Sequence, residues 1–423
     1  MCSDHPGAGR HTPAWLQPLL QALDRLPAER RRQLRAFQPH SQARLQAIPT
    51  PTPTPHRRDR LAPAGDRPPP PLLDLASNDY LGLSRNPAVL AAAAAELQHS
   101  GLGAGASRLI SGTRPVHLEL EQALARWLQR DRVLLFPSGF QANLAAVDAL
   151  ADRHTTVLAD RLIHHSLLVG VRASGARLRR FAHNDLADLE RQLQQLGSAP
   201  GRRLVLSESL FSMEGTSPAV AALADLCRHH QAALLLDEAH GLGVLGSAGR
   251  GLAHGLSHVA IVCGTFGKAF GSGGAFLATD APLADWLLQH SGAFRYTTAL
   301  APALAAGALA ALTSIQAQPD QGARLIARAR RWRQALVASG WPRPAGDGPI
   351  LALHVGADRD ALALQQQLEQ HGLLSVAIRP PTVPAGSARL RLVLRQDLPG
   401  GTLARLLTAL GPPPPALAAA GPS

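Results

Sequence analysis

Between residues 155 and 266 the chain repeats one pattern. Short apolar runs appear at TTVLAD (155–160), RLRRFAH (177–183), RRLVLSES (202–209), AALLLDEAH (232–240) and AIVCGTF (260–266). Helical patterns separate several of them, for example at 185–196 and 218–231. An exposed sheet face would show every second residue polar. Runs that are apolar on both faces belong instead to a parallel sheet covered by helices on each side. RVLLFPSGFQANLAAVDAL (132–150) adds another strand, turn and helix. Polar residues recur at the carboxyl ends of these runs, where open α/β sheets hold their ligands. The expectation is an α/β fold with a mainly parallel central sheet.

The flanks read differently. Residues 14–37 carry helical periodicity, with Leu16, Leu19, Leu20 and Leu23 on one face. Pro18 fits the first turn, and Pro27 should break or restart the helix. Residues 49–71 are too proline-rich for a packed element and read as a linker or arm. LLDLASNDYLGL (72–83) is a strand into a turn, and 101–113 is a glycine-rich loop between helices at 87–99 and 115–128. From about residue 299 two long helices (299–315, 320–338) precede short strands at 350–356, 375–384 and 388–395, a small α+β unit. The division expected is an N-terminal helix and arm (1–71), a large cofactor-binding domain (72–298), a small C-terminal domain (299–411) and a disordered tail (412–423).

A net charge of +12 and a pI near 11.2 raise the question of nucleic acid. The arginines are spread along the chain, aromatics are only 4%, and no nucleic-acid motif accompanies them. The charge suits an anionic small substrate such as a coenzyme A ester equally well. Cys2, Cys227 and Cys263 form no CxxC or metal-ligand spacing, so a reducing, cytoplasmic setting without a structural metal is expected. No basic region followed by an apolar core opens the given sequence and no apolar stretch of about 20 residues stands out, so neither a secretory signal nor a membrane span is expected.

The chain contains 42 lysines and arginines together, and Lys268 is its only lysine. A lysine amine can lose a proton and attack a carbonyl; a guanidinium cannot. Lys268 sits in GTFGKAFGSGG (264–274), among small residues that let a cofactor approach the backbone. Asp237 follows a buried run, with His240 three residues later, so all three fall at the ends of successive strands. PSGFQAN (137–143) turns from strand to helix, and the helix amino end, with Ser138, is a natural phosphate seat. Thr265 adds a second hydroxyl. His164 or His165, in DRLIHHS (160–166), can stack on an aromatic ring; spacing alone leaves the choice open. Together these residues suit pyridoxal 5'-phosphate: an amine for the aldehyde, a carboxylate for the ring nitrogen, a helix terminus for the phosphate.

The motifs NDYLGL (78–83), SGTRPVHLELE (111–121), SGFQAN (138–143), DRLIHHS, ESLFSMEG (208–215), DEAHGLGVLGSAGRG (237–251) and GTFGKAFGSGG resemble those of the α-oxoamine synthase family of pyridoxal-phosphate enzymes. The resemblance runs from about Asn78 to Arg395. It implies the aspartate-aminotransferase-type fold (fold type I). It also implies a homodimer with the site at its interface, where Thr297 and Thr298 reach the partner's phosphate. By the same resemblance, Lys268 carries the cofactor, Asp237 meets its ring nitrogen, His240 its ring oxygen, and His164, rather than His165, stacks on the ring. Ser138, Gly139, Phe140, Ser212 and Thr265 complete the cofactor shell. Asn78, Arg379 and Thr382 fall at the substrate end, with Arg379 on the amino-acid carboxylate, and Arg35 matches an N-terminal arginine that contacts the acyl substrate. IRPPTVPAGSARLRLVL (378–394) resembles the branch that condenses L-alanine with pimeloyl-CoA or a pimeloyl carrier protein, with loss of CO2, in biotin synthesis. Glycine with a different acyl-CoA is the alternative.

Overall fold

The computed structural model describes residues 12–48, 70–197 and 200–414. Most of the proline-rich segment expected at 49–71, and the tail beyond Pro414, lie outside the described residues.

Helix α1 (Gln17–Asp24) starts with a proline in its first turn, where the missing N–H costs nothing, and buries none of its residues. It is much shorter than the 14–37 periodicity predicts. Pro27 ends the helical run, and from Ala36 the chain is extended. Strands β1 (Ala36–Pro39) and β2 (Arg44–Ile48) form an antiparallel hairpin, and β2 continues onto β3 (Leu72–Asp74). Helices α2 (Pro87–Ser100) and α3 (Pro115–Leu128) then lead into the main sheet.

That sheet is built from β4 (Arg132–Phe136), β5 (Thr156–Asp160), β6 (Arg177–Phe181), β7 (Arg203–Glu208), β8 (Ala233–Asp237), β9 (Val259–Thr265) and β10 (Ala275–Thr279). Helices α4 (Gly139–Leu150), α5 (His165–Ser174), α6 (Leu186–Leu196) and α7 (Val220–His229) connect its first five strands. The spatial order is β4-β10-β9-β8-β7-β5-β6. β5 to β9 pair in parallel, and β10 is antiparallel to both its neighbours. Alternate residues of one strand feed different cores: Leu234 and Leu236 enter one apolar cluster, Leu235 the other. This is why the strands read as unbroken apolar runs. β6 is the exception. It is the sheet edge, four of its five residues are exposed, and its arginines occupy that edge, where charge discourages pairing with another chain.

Helices α8 (Ala281–His290), α9 (Gly292–Arg295), α10 (Pro302–Ala317) and α11 (Gln321–Ala338) follow, with α10 packed on α2 and α3. The C-terminal part holds β11 (Ile350–Gly356), α12 (Asp358–Gln370), β12 (Leu373–Leu374), β13 (Val376–Ile378), β14 (Ala388–Val393) and α13 (Thr402–Leu410). β11, β14 and β13 form an antiparallel sheet. β12 leaves it and pairs in parallel with β3. Leu72–Asp74 therefore lies outside the seven-stranded sheet, in a small one shared by the N-terminal hairpin and a C-terminal strand.

Candidate active site

The parallel strands end at one edge, and their last residues line up. Glu208 of β7 stands opposite Asp237 of β8, which stands opposite Cys263 of β9. Asp237 is buried; Oδ2 accepts from Asn143 Nδ2 at 2.6 Å and Oδ1 from the Ala239 N–H at 2.8 Å. Asn143 also donates to Ser166 Oγ at 3.0 Å, and the Ser166 hydroxyl lies 2.7 Å from His164 Nδ1. One chain of hydrogen bonds thus links Asp237 to His164 across three elements. His165 begins α5 and takes no part in it.

Lys268 lies just beyond β9, half-buried. Burial pushes its ammonium pKa down, while the Asp237 and Glu208 carboxylates pull it up and Arg391 opposes them. His164 is lowered, first by desolvation and then by Lys268, against the pull of Asp237. Glu208 is buried and raised well above the usual carboxylate range, by burial and then by Asp237, against the pull of Lys268. Lys268, Asp237, His164 and Glu208 form one electrostatic group.

His240 is buried, and its Nδ1 lies 2.6 Å from the Tyr80 hydroxyl. Arg391 of β14 donates to the Ser212 carbonyl at 2.6 Å and to Asn78 Oδ1 at 2.8 Å. Asn78, Ser212 and His240 are therefore brought together around Arg391 and Tyr80. Sequence reasoning missed Tyr80, Asn143, Glu208 and Arg391. All four sit inside motifs named above: Tyr80 in NDYLGL, Asn143 in SGFQAN, Glu208 in ESLFSMEG and Arg391 in IRPPTVPAGSARLRLVL.

At the amino end of α4, Ser138 Oγ accepts the Gln141 N–H at 3.3 Å, an ordinary helix cap. A Cβ placed on Gly139 would lie 3.7 Å from Thr265 Cβ, so this terminus and Thr265 face each other closely. Gln141 Nε2 donates to Thr297 Oγ1 at 3.3 Å, within the same chain. Phe140 is exposed.

The remaining substrate-end residues sit under the N-terminal segment. Arg379 donates to the Glu29 carbonyl, and its Nε is buried without a partner. Arg32 donates to Thr382 Oγ1 at 3.1 Å. Arg35 points to other partners: it forms a bidentate pair with Glu369 at 2.7 and 3.0 Å and stacks over Phe37. The arginine beside Arg379 and Thr382 is Arg32, three residues earlier.

The donor set fits an aldehyde cofactor with a basic ring nitrogen and a phosphate: a depressed lysine amine, a buried carboxylate, two imidazoles and a free helix terminus faced by a threonine. Comparison with known proteins agrees. The pattern described as aminotransferase class I and II matches residues 70–410. The chain belongs to the class I and II aminotransferase family. An 8-amino-7-oxononanoate synthase of Chromohalobacter salexigens is 43% identical over 344 residues, 80% of this chain and 89% of that protein. Among solved structures, the 8-amino-7-oxononanoate synthase of Francisella tularensis superposes with a TM-score of 0.69 at 28% identity, covering 80% of this chain and 96% of that one. Serine palmitoyltransferase from S. paucimobilis, solved with a bound PLP–myriocin aldimine, gives 0.81 at 26% identity, covering 94% and 95%. The resemblance to the α-oxoamine synthases, and fold type I with it, is borne out.

Proposed function

We propose that the chain condenses L-alanine with a pimeloyl thioester, carried by coenzyme A or a carrier protein, releasing CO2 and 8-amino-7-oxononanoate for biotin synthesis. Its cofactor is pyridoxal 5'-phosphate. When bound, that group supplies an electron-poor ring that takes up the electrons left when a bond to the alanine α-carbon breaks. The observation that carries the reading is that the only lysine of the chain lies at the carboxyl edge of the sheet, within electrostatic reach of Asp237, His164 and Glu208.

Lys268 has two tasks, holding the cofactor's aldehyde carbon and, once released from it, accepting the α-proton at Nζ. Its depressed pKa favours the neutral amine that both tasks require. Asp237, aligned by Asn143 and the Ala239 N–H, offers a fixed negative charge to the ring nitrogen. His164 covers the ring face, and Ser138, Gly139, Phe140, Thr265 and the first turn of α4 take the phosphate side. Arg379, with Asn78, receives the amino-acid carboxylate, and buried Arg391 reinforces that positive pole. For the acyl group, Arg32 replaces Arg35 as the reading. Arg32 reaches Thr382, whereas Arg35 is already committed to Glu369.

We read the working form as a homodimer with the site at its interface. Leu102, Ile110 and Tyr296 are each about four-fifths exposed, at 82%, 80% and 79%. The Ser107–Thr298 bridge and the Gln141–Thr297 bond tie their two segments to the start of α4. A second copy covering this apolar surface would lie beside the phosphate side. Cys227 and Cys263 are buried free thiols, which suits a cytoplasmic setting. Among the described residues no helix is long and apolar enough to cross a membrane.

The test is the visible spectrum of the purified protein, titrated with L-alanine and then with glycine, followed by assays across acyl-CoA chain lengths. The reading requires a visible band perturbed by alanine and turnover with the pimeloyl donor. A colourless protein sinks the cofactor; turnover confined to glycine and a short acyl group sinks the substrate pair.

A further inference from the structure

We propose that Tyr80 is a positioning residue that fixes the tautomer of His240, holding it as a neutral imidazole with its proton on Nε2. The proposal rests on the pyridoxal-phosphate reading only for what that N–H serves.

The argument is an account of protons. Tyr80 and His240 are both buried, with the phenol oxygen 2.6 Å from Nδ1. A hydrogen bond this short has one proton, supplied by either group. The Arg391 guanidinium lies close enough to act on the phenol electrostatically, but its hydrogen bonds go to the Ser212 carbonyl and to Asn78 Oδ1. The phenol proton then has two possible acceptors. His240 Nδ1 is at 2.6 Å, and Asn78 Oδ1 is at 3.4 Å and already accepts from Arg391 at 2.8 Å. If Nδ1 carried the proton, the phenol oxygen would accept it and its own hydrogen would be left with the 3.4 Å contact. That exchanges a good bond for a marginal one in a buried setting, where a poorly satisfied polar group is costly. The arrangement that satisfies both groups runs one way, from Tyr80 O–H to His240 Nδ1. The nearby Arg391 cation, which pulls the phenol pKa down, also makes its hydrogen a better donor.

A second proton on His240 is disfavoured. Burial holds its pKa well below the usual range, and Lys268, Arg391 and His164 all add to this. Tyr80 keeps its own proton, because burial raises its pKa more than Arg391 lowers it. The ring nitrogen left over, Nε2, is thus a permanent donor. A ring oxygen carrying negative charge needs such a donor. A histidine free to exchange tautomers would present a lone pair to it part of the time.

The test uses full-length protein labelled with 15N-histidine, with and without cofactor, and His240→Asn to assign the signals. The wild type should show Nδ1 at the position of an unprotonated, hydrogen-bonded nitrogen and Nε2 protonated, unchanged from about pH 6 to 8. Tyr80→Phe should move both signals toward the average of two exchanging tautomers. A protonated Nδ1 in the wild type, or His240 signals unmoved in Tyr80→Phe, overturns the proposal. In loaded protein, Tyr80→Phe should also shift the pH midpoint of the visible band, and an unmoved midpoint overturns the link to the cofactor. The cofactor-free spectra stand even if the pyridoxal reading fails, so the two failures are distinguishable.

Discussion

Glu238 lies between Asp237 and the loop that carries His240, yet it is buried away from solvent. Its Oε1 accepts the Ala253 N–H at 2.7 Å. Its Oε2 and the Ser209 hydroxyl are both buried without a well-formed bond. A Cβ on Gly241 would meet both at 2.4 Å, and one on Gly251 would lie 2.6 Å from Oε2, so the carboxyl fills the inside of the 238–253 loop. Burial raises its pKa from 4.5 to about 7, against the backbone N–H groups of Ala253 and Leu252. Unfolding returns the group to its ordinary value. Between these values the folded chain binds more protons than the unfolded one, so stability is lost as pH rises through that window. Above both values the loss amounts to roughly 3 kcal/mol.

Glu238→Gln keeps the shape and the acceptor for Ala253 but cannot ionise. Its stability difference from the wild type should be small at about pH 5 and should favour the variant by roughly 3 kcal/mol at about pH 8. Urea unfolding of both proteins at several pH values reads this directly, because every other titrating group cancels in the difference. A gap that does not change with pH, or one that moves toward the wild type as pH rises, refutes the reasoning.

Four further outcomes follow from the site and its supports. Lys268→Arg should keep the charge yet abolish the visible band and turnover; retention of either would remove Lys268 from its role. Arg32→Ala should raise KM for the acyl donor by about tenfold, the worth of a charge-assisted hydrogen bond, with little change in kcat. Arg35→Ala, which breaks a largely exposed ion pair, should leave KM unchanged and cost under about 1 kcal/mol in unfolding assays; the reverse pattern would restore Arg35. Arg395 pairs with Asp74 at 2.7 Å, Asp79 at 3.2 Å and Asp397 at 2.9 Å, around the turn that presents Asn78 and Tyr80. Arg395→Met strands the buried Asp74 carboxylate and should cost about 3–5 kcal/mol in urea unfolding; a cost below about 1 kcal/mol would show the network to be dispensable.

The central sheet was legible because burial on both faces leaves a one-dimensional trace: unbroken apolar runs such as ALLL in β8. β10 was not, because AFLAT follows directly on the glycine-rich loop around Lys268 and reads as its continuation. The β1–β2 hairpin was hidden for a different reason. Its strands are short and half-exposed, so they show neither alternation nor an apolar run, and pairing with β3 supplies their stability. The helical reading of 14–37 followed real periodicity, but Pro27 removed the N–H that a continuing helix needs.

Within the site, the residues proposed to meet the cofactor are easier to single out in the sequence than those that orient them. Lys268, Asp237 and His164 stand at strand ends or helix starts, and their chemistry marks them locally. Their supports are marked only by distance in space. Asn143 reaches Asp237 from 94 residues away, and Tyr80 reaches His240 from 160. Nothing in a buried asparagine or tyrosine announces such a partner, since each also serves well as an ordinary core residue. Arg32 and Arg35 show the same limit in one segment. Both are arginines in a basic run, and only the fold decides that Glu369 occupies one while the other reaches Thr382. Chemistry that needs a particular functional group is therefore visible in this sequence, as its single lysine shows. Chemistry that needs a particular direction, such as which nitrogen of His240 holds the proton, emerges only when the fold sets Tyr80 against His240.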